Sequence, residues 1–340
     1  MKLKPIRTNL LAAAAILVLV FAQPIARSAY ADEMADRNEI NQNVRQLFVD
    51  QNFAELERIA TSYLASRART SSGLWKIGLY DGGIIDLFHC PCTNEEFWNH
   101  AEDNVKRWIA QYPNSINAHL AYAHMLLERG WSIRGWGYVN TVDPANWKPF
   151  LEYVEKTRTY LMKHEKIGIS DPRWNDMIVD IANLQQISET DYAALANTAL
   201  DRHPDYYPTY FDIMTHYEPK WGGSAAAIEK FARESAARDR SKEGEGMYAR
   251  IYWYAAQKLY GNNLFRSSSV DWSEMKRGID DVLKAFPDQW NINNFAKFAC
   301  IANDKEKTKE LISLISGDPV LEAWVDRTIY EDCKTWATAK

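Results

Sequence analysis

The stretch FWNHAEDNVKRWIAQYPNSINAHLAYAHMLLE, residues 97–128, decides the fold class. Trp98, Ala101, Val105, Trp108 and Ile109 recur at three- and four-residue steps, the period of one helix face. The pattern stops at Pro113-Asn114. Proline cannot continue a helix and disfavours the α region in the residue before it. Asparagine then offers an oxygen to cap the next helix, and a second apolar helix is predicted over Ala118–Glu128. The product is helix, tight turn, antiparallel helix.

The same unit recurs twice. Tyr192 to His203 stops at Pro204-Asp205 before a helix over Tyr207–Tyr217, and Trp272 to Phe286 stops at Pro287-Asp288 before one over Ile292–Ala302. Tetratricopeptide arrays are built this way, from stacked hairpins that cannot bury their apolar faces alone. The three prolines lie 91 and 83 residues apart, so no fixed period is kept. Between them the helical period persists: Val44, Leu47, Phe48, Phe53, Leu56, Ile59 and Leu64 form one stripe, and Met177, Ile181 and Leu184 another. No alternating strand pattern and no Asn-Gly or Asp-Gly turn interrupts it. Asp271 with Glu274 reads as a capping-box variant. Ser224 is placed to cap Ala225–Arg238. Gly317-Asp318-Pro319 precedes a helix predicted over Leu321–Trp336. The expectation is an all-α, irregular tetratricopeptide-like array of antiparallel helical hairpins. With no linker-like segment, residues 32–340 read as a single α-helical domain.

The N-terminus reads differently. Lys2, Lys4 and Arg7 precede an apolar run from Leu10 to Ala22, and Ala29-Tyr30-Ala31 closes the segment. This is the layout of a secretory signal peptide over residues 1–31, and the run is short for a membrane span. A periplasmic or secreted protein is expected, with no membrane span after cleavage. The segment holds Lys2, Lys4, Arg7 and Arg27 and no acid, so its loss takes the net charge from −5 to −9. Such a surface has no electrostatic attraction for nucleic acid or anionic lipid. Thirteen Trp and eighteen Tyr fill the space between helices or line a groove, since both rings suit half-wet surfaces.

Four segments together resemble a bacterial family of exported proteins, a domain-of-unknown-function family with tetratricopeptide-like helices. They are Phe53–Leu56 leading to Arg69-Thr-Ser-Ser-Gly73-Leu-Trp75, Glu128–Trp136 leading to Asn146–Phe150, Pro219-Lys-Trp221-Gly-Gly-Ser224, and Met247–Trp253. The resemblance implies a helical fold and supplies no activity, cofactor or catalytic residue.

Four cysteines in an exported chain point to disulfides. Cys300 and Cys333 fall on two predicted helices one hairpin apart and are expected to pair, with Cys90 and Cys92 closing a tight local loop. His89-Cys90-Pro91-Cys92 leaves metal and redox readings open, as does pairing of Cys90 or Cys92 with the C-terminal cysteines, although no second ligand pair lies nearby. Trp131, Arg134, Trp136 and Tyr138 sit in a Gly-rich stretch read as lying between two helices. With Trp221 at the Gly-Gly turn they form the expected binding surface, where Arg beside rings can stack or clamp a carboxylate. Arg250 shares a helix face with Tyr254 and joins that set, although rings on several faces of its helix point to burial. Asp212 with His216, and His119 with His124, show no third partner. The metalloprotease, nucleophile-elbow, Walker and dinucleotide motifs are absent, and nothing calls for a cofactor or metal. The sequence therefore favours an exported binding or scaffolding protein that engages a protein or peptide through a groove. The alternative is a cell-envelope enzyme or small-ligand carrier with its site near Trp131–Tyr138 and Trp221.

Overall fold

The computed structural model describes residues 33–90 and 94–339; the expected leader and Cys92 lie outside the described residues. The chain is all-α. Among the described residues there is no strand, only an isolated bridge between Arg69 and Trp75. Among the described residues no helix is long and apolar enough to cross a membrane.

The chain begins α1 (Glu33–Val49), α2 (Phe53–Ser66), α3 (Lys76–Phe88), α4 (Glu95–Gln111), α5 (Ile116–Arg134) and α6 (Pro144–Lys163). After the single turn α7 (Glu165–Gly168) come α8 (Pro172–Leu184), α9 (Glu189–Arg202), α10 (Tyr207–His216), α11 (Ala225–Glu243) and α12 (Gly246–Ala255). A π turn carries α12 on to Tyr260, near the single turn α13 (Leu264–Ser267). The chain then forms α14 (Trp272–Ala285), α15 (Gln289–Ile301), α16 (Lys305–Ser313), the single turn α17 (Leu321–Trp324) and α18 (Arg327–Thr338).

The proline stops act as expected, with α4, α9 and α14 each ending two residues before a proline. The caps differ in part. Asp288 caps α15, accepting from the N–H groups of Trp290 and Asn291, but α5 is capped by Ser115 rather than Asn114. The carboxylate of Asp205 is drawn away from α10 to Arg69, at 2.9 Å. Ser224 and Asp271 cap α11 and α14. The helix expected over Leu321–Trp336 is broken. Val325 takes φ +70°, and Asp326 caps a new helix through the N–H of Thr328, while the Trp324 indole is held by Asn293 at 2.8 Å.

Sequence neighbours pack as hairpins, and α1 and α3, α3 and α5, α8 and α10, and α10 and α12 pack across one intervening long helix. Side-chain bonds from Arg173 to Asn117 and from Trp253 to Asn294 link α8 to α5 and α12 to α15. α1 meets α2 and α3; α3 meets α5; α5 meets α4 and α6; α8 meets α6, α9 and α10; α12 meets α10, α11 and α14; α15 meets α14 and α16. This sorts α1, α3, α5, α8, α10, α12 and α15 into one layer and the intervening long helices into another. α15 also packs back on α1, so the first layer closes on itself. That layer is the inner one, because Arg37 of α1, Phe211 of α10, Trp253 of α12 and Phe295 of α15 line one pocket.

Hairpin connectivity makes the inner helices run the same way, and the loop at 67–75 ties their N-terminal ends together. The Ser72 carbonyl accepts from Arg250 Nη1 (3.1 Å) and Nη2 (3.2 Å) and from Asn291 Nδ2 (3.2 Å). The Ser72 N–H donates to Glu33 at 2.9 Å, and the Ser71 hydroxyl to Asp288 at 3.0 Å. Gly73 sits in this knot at φ +99°, where a Cβ would fall 2.8 Å from Arg250 Nη2 and 2.9 Å from the Phe286 ring; only glycine fits such a close approach.

Cys300 and Cys333 are bonded, with Cα atoms 5.8 Å apart, across α15 and α18. Cys90 is also in a disulfide. Replacing both Cys300 and Cys333 by alanine opens a cross-link that spans 33 residues. It is expected to cost about 3–4 kcal/mol in urea unfolding, and an unchanged midpoint would show that α18 is held by packing alone.

Candidate functional site

Near the closed end of the ring the buried charges are matched. Arg173, 1% exposed, donates from Nε and Nη2 to Asp171 at 3.0 and 2.8 Å and to Asn117 Oδ1 at 2.6 Å. Its Nη1 lies 3.8 Å from Asp81, which accepts from His124 Nε2 at 3.0 Å. Burial works against the charge on Asp81, but His124 and Arg173 outweigh it and hold the carboxyl below its ordinary value. α3, α5 and α8 are thus joined by buried charges of opposite sign, although Arg173 Nη1 itself has no hydrogen-bond partner.

One turn along α8 the balance fails. Asp176 and Asp180 are four residues apart on one face, and Asp212 of α10 meets them. Asp212 adds its charge to the burial of Asp176, and Thr209 eases it. The Oδ1 atom of Asp176 is buried with no partner. Among the described residues no cation lies within ion-pair distance of the three; Lys258 and His124 act on them only from further away. Burial is the largest cause of their raised pKa values. Asp212 adds to it at Asp176, which stands well above the ordinary range, and Asp180 adds to it at Asp212, which is pushed up to about 8. Asp180 is pushed up to about 6. Yet each of the three keeps part of its surface accessible.

Two further features lie on the helices around them. On α3, a Cβ at Gly78 would touch Tyr206 and Pro208 at the start of α10, whereas one turn on, at Gly82, it would meet nothing within 4 Å. Contact between facing helices has ended there and open space begins. On α9, Tyr192 is 0% exposed and its hydroxyl has no partner. Burial first, then the charges of Asp212 and Asp180, push that hydroxyl up, so an unused donor faces the same acids. Half-buried Tyr254 stacks on Phe211 at 4.7 Å, and Lys258 Nζ lies 5.6 Å from the Tyr254 ring centre. The Trp253 indole donates to Asn294 at 3.1 Å.

The residues singled out in the sequence divide between two ends of the ring. Arg134 is on α5, not in a loop, because α5 runs through to Gly135 at φ +80°. It is buried under Trp131 and Trp147, 5.0 and 4.6 Å from their ring centres, and donates to the carbonyls of Gly135 and Gly137. Trp136 (43% exposed) stacks on Trp131 at 5.5 Å and lies 4.3 Å from His89, and Tyr138 is 78% exposed. Trp221 packs at the edge of the apolar cluster that includes Trp131. Arg250 sits at the opposite, closed end, engaged with Glu243 and Ser72. His216 bonds Asn183 and Glu189 rather than Asp212, and His119 bonds Tyr160 and Pro113, apart from His124.

Asp176 and Asp180 were passed over in the sequence, and Asp212 was noted only for its spacing to His216. The available signal was α8 itself: Trp174, Met177, Ile178, Val179, Ile181, Ala182 and Leu184 surround Asp176 and Asp180, too apolar a setting for a solvated face. Chemically the trio can hold a proton or a cation. Among the described residues no group of three His, Cys, Asp or Glu is placed to hold a metal ion. No family model, curated protein or solved structure matches this chain.

Proposed function

We propose that this is an exported, non-enzymatic binding protein, an irregular tetratricopeptide-like array of the helical-repeat family it resembles, which takes a peptide or an extended protein segment into the interior of its closed layer of helices. The reading includes cleavage of the 1–31 leader, a single domain over 32–340 and a periplasmic or secreted destination. It rests on one observation above all. On α3 a Cβ at Gly82 would meet nothing within 4 Å, and Asp176, Asp180 and Asp212 on α8 and α10 are partly accessible, which supports a surface open to a ligand. An array with an inward concave face suits an elongated ligand.

Gly82 gives the test. Gly82→Ala adds a methyl to open space and removes a helical glycine, so it is expected to stabilise by about 0.5–1 kcal/mol. Gly82→Trp fills the same space. With fluorescent random dodecapeptides followed by anisotropy, wild type and Gly82→Ala should bind and Gly82→Trp should not, at matching circular dichroism. Equal binding by Gly82→Trp would remove the interior as the site.

A further inference from the structure

We propose that the cleft of about 370 Å³ beside loop 67–75 is a second binding site, for a small molecule that carries a carboxylate on an apolar stem, with Arg67, Trp75 and His203 receiving the carboxylate. Neither Gly82 nor Asp176, Asp180 or Asp212 lines this cleft, so it stands apart from the ring interior and does not depend on the peptide reading.

The end of α2, the turn into α3, the first residues of α5 and α8, the single turn α7 and the end of α9 enclose the cleft. Its volume falls in the range of small-molecule sites, roughly 300–1,000 Å³. Leu64, Ile116, Ile167 and Pro172 give it an apolar side. Its polar side lacks acceptors. Trp75 is 4% exposed, and its indole Nε1 is buried with no hydrogen-bond partner. His203 Nε2 is buried without one as well. An indole N–H can only donate, and a neutral imidazole donates from one nitrogen. A buried donor left unmet costs its full desolvation. Unpartnered atoms occur elsewhere in the chain; these two are set apart because both residues line one cleft of ligand size.

The charges nearby give the ligand its sign. Asp205 lies 2.9 Å from Arg69, 3.6 Å from Arg67 and 3.7 Å from Lys242, so three cations share one carboxylate. Arg69 takes its hydrogen bond. Arg67 is left beyond that reach, 63% exposed, with its guanidinium carbon 5.5 Å from the Trp75 ring centre. Asp171, the acid in the cleft lining, already accepts from Arg173 Nε and Nη2 at 3.0 and 2.8 Å. Two N–H groups without acceptors and a guanidinium with charge to spare call for a ligand that accepts hydrogen bonds and is negative. An ionised carboxylate does both, and the apolar side then covers its stem.

Octanoate, octanamide and octylammonium, titrated calorimetrically into the mature protein at pH 7, test this. Octanoate is expected to saturate a single site and to bind roughly tenfold more tightly than octanamide, the worth of one charge-assisted hydrogen bond. Octylammonium and inorganic phosphate should not displace it. Ala65→Trp puts an indole into the cleft from an exposed position and should abolish binding. Arg67→Gln should weaken octanoate about tenfold and leave octanamide unchanged. His203→Phe keeps a ring, removes the N–H and should weaken both. Circular dichroism should match wild type throughout; Ala65 and Arg67 are exposed, so their variants decide the matter even if His203→Phe does not fold. The assignment fails if octanoate shows no saturable binding, if the three probes bind alike, or if either exposed variant binds octanoate as wild type does. Displacement of octanoate by phosphate would remove the apolar stem from the recognition and overturn the ligand class.

Discussion

Replacing Arg250 by methionine is expected to cost about 3–5 kcal/mol, as removal of one partner of a buried ion pair does, and to loosen the closed end of the ring. Arg250 is buried with Glu243, donating from Nε and Nη2 to the two carboxylate oxygens at 2.9 and 2.8 Å. The Tyr207 and Phe286 rings lie 4.5 and 5.4 Å from its guanidinium carbon. Burial works against its charge, but Glu243 more than restores it, and the pKa stands above the ordinary arginine value. The variant leaves the Glu243 carboxylate buried with only the Tyr207 hydroxyl, at 3.1 Å, and strips two donors from the Ser72 carbonyl. Two measurements check this. Urea unfolding should show the loss, and pairing Arg250→Met with Glu243→Leu should return part of it, because the second change removes the stranded charge. Hydrogen exchange should speed up at the amides of residues 70–74 before the rest of the chain. A loss under about 1 kcal/mol, the range of exposed pairs, or unchanged exchange at 70–74, would mean that the loop does not close the ring.

That loop also marks the limit of what the sequence discloses. Pro113, Pro204 and Pro287 act on their own helices, so the hairpins they punctuate are legible from local steric rules. Cys300 and Cys333 are legible for the same reason, being one hairpin apart. Ring closure is not, because Ser72 and Arg250 are 178 residues apart and no local pattern announces their meeting. The site is hidden behind the same step. Asp176 and Asp180 stand in a stretch too apolar for a wetted face, but which residues they meet is decided only by how α8 packs on α9 and α10. Asp212 drew attention only for its spacing to His216, which turns to Asn183 and Glu189. Conversely, Trp131 and Arg134 read as a loop because Gly130 and Gly135 flank them. Yet Gly130 is a packing position, its Cβ site 2.9 Å from Tyr153, and the helix passes through it.

Asp212→Asn is expected to make the protein more stable than wild type above pH 8 and no different near pH 4. Burial and the charge of Asp180 raise the pKa of Asp212 to about 8, and burial raises that of Asp180 to about 6. An unfolded aspartate titrates near pH 4. The folded state therefore holds these protons more tightly than the unfolded chain. The stability they confer is fully present below pH 4 and is lost as pH rises through 6 and 8. Asparagine is neutral throughout, so it removes this loss. Because the acids are partly wetted, the gain at pH 8.5 is on the order of 2 kcal/mol rather than the full value of the shift. Thermal unfolding of both proteins from pH 4 to 9 reads it out. The direction separates a binding site from a structural one. A carboxylate kept for the fold loses stability when it is neutralised, whereas one kept for a ligand burdens the empty protein and gains stability. A variant less stable than wild type at pH 8.5 would place Asp212 with the matched charges around Arg173.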